Sequence, residues 1–70
     1  MANMQIKRIA EDMYAVLQYD EVLSVRLPEM NENELYAHLR LRNLVNRTAD
    51  DVLGSLDIGE EITVQFRTAL

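Results

Sequence analysis

The sequence contains no cysteine, no tryptophan, one proline, two glycines and one phenylalanine among its 70 residues. Without cysteine, the chain can form neither a disulfide nor a thiolate metal site, and it has no thiol nucleophile. His38 is the single histidine, which excludes a metal site built from several imidazoles. Gly54 and Gly59 form no glycine-rich phosphate loop. We therefore expect no catalytic residues, no metal, no cofactor and no small-molecule substrate.

Long apolar runs are also missing from the sequence. No stretch approaches the roughly 18 consecutive apolar residues that cross a bilayer. The amino terminus lacks the charged segment followed by an apolar segment that is typical of a signal peptide. Together with the absence of cysteine, these features lead us to expect a cytoplasmic protein with no membrane partner.

The composition that is present is typical of a folded soluble domain, with 49% hydrophobic and 27% charged residues. Seventy residues can build one small core, so we expect residues 1–70 to form a single domain. Small cores offset the lost conformational entropy only narrowly, which favours an oligomer or a complex. The formal net charge of -5 opposes duplex binding through the whole surface. A nucleic-acid site would need a local basic patch.

Hydrophobic periodicity predicts three elements in the first two thirds of the chain. Residues 4–18 carry apolar side chains at spacings of three and four, which predicts a helix. Residues 21–27 are rich in β-branched and apolar side chains and end at Pro28, which predicts a strand. A polar turn over 29–34 leads into residues 35–42, where apolar and polar side chains alternate as in a second strand.

The last third predicts a short helix followed by a strand. Thr48 precedes Asp51 by three positions, which is typical of a capped helix start. Gly59 indicates the turn after that helix, and residues 61–67 alternate as a strand. The expected fold is α+β in the order α-β-β-α-β. It has a single-layer antiparallel sheet of about three strands, with two helices on one face.

The outward positions of the three predicted strands define a candidate binding surface, which we call the predicted basic face. Its candidate site residues are Arg26, Tyr36, His38, Arg40, Arg42, Gln65 and Arg67. Four of the seven lysine and arginine residues therefore gather on one surface of an acidic chain. Guanidinium groups bind carboxylates and phosphates in bidentate fashion, while aromatic rings supply planar contacts.

This pattern favours a small, non-enzymatic binding or regulatory protein whose predicted basic face holds an acidic protein partner. Three alternatives remain open at this point. The face is simply solvated, or it pairs with a second copy in a homodimer, or it binds single-stranded nucleic acid laid across the sheet. Pairing two such faces would bring arginines together, which disfavours the homodimer.

Residues 48–67 suggest a different nucleic-acid alternative. Suitable residues for a helix-turn-helix unit occur at Thr48, Asp51, Val52, Leu56 and Ile58. The segment thus resembles a helix-turn-helix DNA-binding unit, which implies a transcriptional regulator with a recognition helix over 60–67. Bulky and acidic side chains depart from that pattern at Leu53 and Asp57. A strand over 60–67 would remove this alternative.

Overall fold

The computed structural model describes residues 2–67, which form an α+β domain with five strands and two helices. The elements are β1 (Ala2–Ala10), β2 (Met13–Tyr19), β3 (Ser24–Arg26), α1 (Glu32–Arg40), β4 (Asn43–Leu44), α2 (Ala49–Gly54) and β5 (Glu61–Arg67). The strands pair antiparallel in the order β3-β2-β1-β5-β4. The predicted α+β class is confirmed. The predicted strand number and the order α-β-β-α-β are wrong.

The first correction concerns residues 4–18, where the predicted helix is instead the hairpin of β1 and β2. Met4 pairs with Gln18, and Ile6 pairs with Val16. The inward side chains Met4, Ile6 and Val16 are fully buried, whereas the neighbouring Lys7 is exposed. The apolar spacing of this segment is compatible with the period of an α-helix and with the period of a β-strand. Pairing of β1 with β2 on one side and β5 on the other decides in favour of the strand.

The second correction concerns residues 35–42, where the predicted strand is replaced by α1 and the turn after it. Asn31 caps this helix through a capping box, in which its side chain accepts from the Glu34 N–H at 2.8 Å. The Glu34 carboxylate accepts from the Asn31 N–H at 3.0 Å. Leu35 and Leu39, four residues apart, are buried on the same helix face. The polar stretch predicted as a hairpin turn is therefore the start of a helix.

Elements in the last third agree with the sequence prediction. The Thr48 hydroxyl accepts from the Asp51 N–H at 3.1 Å and caps α2. Gly59 has a φ of 90°, a left-handed conformation that favours glycine. Residues Glu61–Arg67 form β5, so the recognition helix required by the helix-turn-helix resemblance does not exist. Earlier in the chain, β3 lies within the predicted strand over 21–27 but is only three residues long.

Both helices contribute to one hydrophobic core on a single face of the sheet. The buried apolar residues are Ala2, Met4, Ile6, Tyr14, Val16, Leu35, Leu39, Ala49, Val52, Leu56, Val64 and Phe66. On β1, β2 and β5 the buried members are all even-numbered, so the odd-numbered side chains point to the opposite side. We call that opposite side the outer face. No described element covers it.

Candidate partner-binding surface

The structure divides the predicted basic face between two sides of the sheet. Arg26 lies on the outer face, because it pairs with the odd-numbered Leu17. Gln65 and Arg67 share the outer face with it, since they alternate with the buried Val64 and Phe66. The remaining predicted site residues belong to α1 and the turn after it, on the helix side: Tyr36, His38, Arg40 and Arg42. A single surface made of all seven residues was therefore a wrong prediction.

On the helix side, Tyr36 and Arg40 form a pair one helical turn apart. Arg40 Nη1 donates to the Tyr36 hydroxyl at 3.1 Å, and its guanidinium carbon lies 5.6 Å from the centre of the Tyr36 ring. The hydrogen bond to Tyr36 raises the pKa of Arg40. The Tyr36 ring and the Arg40 guanidinium therefore contact each other.

His38 and Arg42 form the second pair, on the other flank of the buried stripe of α1. The Arg42 guanidinium lies 5.7 Å from the centre of the Phe66 ring. Neither His38 Nε2 nor Arg42 Nε has a hydrogen-bond partner among the described residues, although both atoms are buried. Burial, and then the charge of Arg42, lower the pKa of His38 from its ordinary value of 6.5. The imidazole is therefore neutral at physiological pH.

This lowered pKa predicts that acid destabilises the protein through His38. As the pH falls below about 6.5, the unfolded state binds a proton that the folded state resists. Stability should fall until the pH passes the lowered pKa of the folded state. A His38→Gln variant should lose less stability than the wild type between pH 7.5 and 5, as measured by urea midpoints. Identical losses in the two proteins would contradict the prediction.

The outer face carries a groove that we call the basic groove. Its lining residues are Gln5, Lys7, Ala15, Leu17, Arg26 and Glu61, and its volume is about 170 Å³. Lys7 pairs with Ala15, and Leu17 pairs with Arg26, so the two cations stand diagonally across a floor of small and apolar side chains. Lys7 is absent from the predicted basic face because residues 4–18 are predicted as a helix. The alternation Met4, Gln5, Ile6, Lys7 was the signal that could have revealed it.

A second depression, which we call the loop pocket, adjoins the basic groove on the same face. It has a volume of about 340 Å³ and is lined by Gln5, Leu17, Tyr19, Asp20, Glu21, Val22, Leu23 and Ser24. The connection between β2 and β3 is shaped by Asp20, whose carboxylate accepts from the N–H groups of Val22 and Leu23 at 2.8 Å each. The bonds from Leu23 and Val22 lower the pKa of Asp20. Its carboxylate thus remains charged beside the pocket.

The strands of the outer face carry a net positive charge, whereas the whole chain is acidic. These strands contribute three cations, Lys7, Arg26 and Arg67, and one described carboxylate, Glu61, and the adjoining loop adds the carboxylates of Asp20 and Glu21. Gln5 Nε2 donates to Glu61 Oε1 at 3.0 Å, so that carboxylate already has a partner. Among residues 2–67 the only ion pair joins Arg47 to Asp51, at 3.7 Å. Glu61 is the cross-strand partner of Lys7 and offsets part of this charge, but none of the three cations forms an ion pair with a described carboxylate.

Other classes of site find little support in the described part of the chain. Residues 2–67 contain no group of three or more histidine, aspartate or glutamate side chains placed to hold a metal ion. Within the same residues, no helix has the length and apolar character needed to cross a membrane. No protein-family model, curated protein or solved structure matches the chain. The interpretation of the outer face therefore depends on its own geometry and charge.

Proposed function

We propose that this protein is a small, non-enzymatic, cytoplasmic binding or regulatory protein that holds an acidic segment of another protein on its outer face. The observation that carries the proposal is the basic groove, where Lys7 and Arg26 flank Ala15 and Leu17 and outnumber the one carboxylate of the groove, Glu61, which accepts a hydrogen bond from Gln5. Arg67 and Gln65 extend the polar surface along β5. Tyr36, His38, Arg40 and Arg42 take no part, because they lie on the helix side.

The physical basis is charge complementarity on an uncovered sheet. Arg26 can bind a carboxylate with two parallel hydrogen bonds, while Lys7 supplies a compact charge from the other side of the groove. Exposed ion pairs contribute at most about 1 kcal/mol each, so affinity also requires apolar contact with Leu17 and its neighbours. A local cluster of cations on an acidic protein also orients an acidic partner during encounter.

Single-stranded nucleic acid is the second candidate, because Tyr19 lies on the outer face between the cations of β3 and β5 and could stack with a base. Asp20 and Glu21 line the pocket beside this tyrosine and would repel a phosphate chain. A segment of protein can instead place its carboxylates at the basic groove alone. The acidic protein partner is therefore the better supported occupant.

The proposal is tested by titrating the protein, labelled with ¹⁵N, with a short peptide of alternating glutamate and serine. We expect amide shifts centred on Lys7, Ala15, Leu17 and Arg26. The Lys7→Glu/Arg26→Glu variant should weaken binding at least about tenfold, because each attraction becomes a repulsion. The control variant Arg40→Glu/Arg47→Glu makes the same change in net charge on other parts of the surface, and it should change the affinity less than about twofold.

Three results would overturn the proposal. The first is an equal loss of affinity in the control variant, which would mean that only net charge matters. The second is a set of shifts confined to α1. The third is tighter binding of an oligothymidylate strand than of the peptide, with that binding lost in Lys7→Glu/Arg26→Glu. This last result would assign the outer face to single-stranded nucleic acid.

A further inference from the structure

The basic groove and the loop pocket lie side by side along β2, and we call the two together the channel. Both are lined by Gln5 and Leu17, which stand at the junction between them. One end of the channel holds two cations, Lys7 and Arg26, and one carboxylate, Glu61, whereas the other end is bordered by Asp20 and Glu21. The channel therefore has a positive end and a negative end, so an acidic segment can lie in it in only one favourable position.

The negative end also contains the most exposed apolar side chains of this surface. Val22 is 87% exposed and Leu23 is 64% exposed, and both line the loop pocket. Leu17 and Tyr19, which are half-buried, form the adjoining apolar wall. The two hydrogen bonds to Asp20 restrain the backbone of this loop, which limits the conformations that it must lose when a partner binds.

We infer that the partner segment carries a large apolar side chain, such as leucine or phenylalanine, that fills the loop pocket while its acidic residues contact Lys7 and Arg26. This inference rests on the proposed function and adds an apolar residue to the acidic residues of the partner segment. In an extended chain, residues two apart point to the same side at roughly 6.6 Å spacing. The apolar residue should therefore stand about two or four positions from the acidic ones, an even spacing that keeps them on one side.

A second copy of the chain is a poorer occupant of this channel. Two outer faces placed together would bury the cations Lys7, Arg26 and Arg67 of both copies in one interface. Like charges that lose water on contact oppose such an interface. An acidic segment with one apolar residue meets both ends of the channel without that repulsion.

The test compares two peptides that differ at one position. Both are alternating glutamate and serine peptides in which one central glutamate is replaced, by serine in the first and by leucine in the second, so that the leucine lies on the same side of an extended chain as the remaining glutamates. We expect the leucine peptide to bind at least about fivefold more tightly, because apolar surface leaves water in the loop pocket. Methyl and amide shifts of Val22 and Leu23 should appear only with the leucine peptide.

Two variants separate pocket binding from general hydrophobicity. Val22→Ser should reduce the preference for leucine below about twofold, because it removes one apolar wall of the pocket. Leu41→Ser is the matched control, since Leu41 is 81% exposed and lies between α1 and β4, at the opposite edge of the sheet. It should leave the preference unchanged. Both sites are exposed, so neither variant is expected to unfold the protein.

The outcomes distinguish this inference from the proposed function. Equal affinity of the two peptides, with both weakened by Lys7→Glu/Arg26→Glu, would refute the apolar residue and leave the proposed function in place. Peptide binding that is insensitive to Lys7→Glu/Arg26→Glu would refute the proposed function itself. A dimer that forms without peptide and is dissociated by Val22→Ser in sedimentation would show that a second copy occupies the pocket and would overturn the inference.

Discussion

Replacing Tyr14 with alanine is expected to lower the free energy of unfolding by about 3–5 kcal/mol. Tyr14 is fully buried and has the largest volume among the fully buried side chains of the described residues. Its ring lies in the core cluster, and the Arg8 guanidinium carbon is 5.8 Å from the ring centre. A domain of this size is stabilised by only about 3–10 kcal/mol, so this variant should be largely unfolded at room temperature.

Replacing Tyr14 with phenylalanine should have the opposite result. The Tyr14 hydroxyl is buried and has no hydrogen-bond partner among the described residues. Removing an unpartnered buried hydroxyl while keeping the ring should leave the stability unchanged or raise it by about 1 kcal/mol. Urea unfolding followed by circular dichroism measures both variants. A clear loss of stability in Tyr14→Phe would show that the hydroxyl makes a stabilising contact, against this account.

The second large effect is expected from Arg8, which ties the first hairpin to the end of α2. Arg8 Nη1 donates to the Leu56 carbonyl at 2.9 Å, and Nη2 donates to the Glu11 carbonyl at 2.7 Å. The same side chain covers the Tyr14 ring. Hydrogen bonds to a charged group contribute about 1.5–3 kcal/mol when partly shielded from water. Arg8→Met should therefore lower the free energy of unfolding by about 2–3 kcal/mol, measured by urea unfolding.

Arg47→Met is the matched control for Arg8→Met. Arg47 also loses its charge, but its only described ion pair is the exposed one with Asp51, at 3.7 Å. Exposed pairs of this kind contribute about 0.3–0.5 kcal/mol, so the urea midpoint should hardly move. Similar losses in the two variants would mean that net charge, rather than the bridging contacts of Arg8, controls the stability.

The sequence predicts the structure of some segments of the chain correctly and of others wrongly. Thr48, Gly59 and the alternation in Glu61–Arg67 act locally, through a cap, a left-handed turn and a half-buried strand, and all three predictions are confirmed. The segment 4–18 depends on distant residues, because β1 obtains its partners from β2 and from β5 near the other end of the chain. A local helical spacing could not reveal those pairings.

The candidate site was only partly predictable for the same reason. Leu35 and Leu39 satisfy both a period of two and a spacing of four, and the capping box of Asn31 and Glu34 decides for the helix. That change moves every predicted site residue between 36 and 42 to the helix side. Lys7 moves the other way, onto the outer face, once β1 replaces the predicted helix. Arg26 is unaffected because its strand was predicted with the correct parity.

The central position of β1 has a consequence for how the molecule is made. Ala2 pairs with Phe66, so one side of the central strand has no partner until residues 61–67 have been synthesised. Until then, β1, β2 and β3 form a meander whose free edge carries unpaired peptide groups beside Met4 and Ile6. Contacts of such long sequence separation form slowly. The nascent hairpin is thus the stage at which this protein is most exposed to strand-to-strand aggregation.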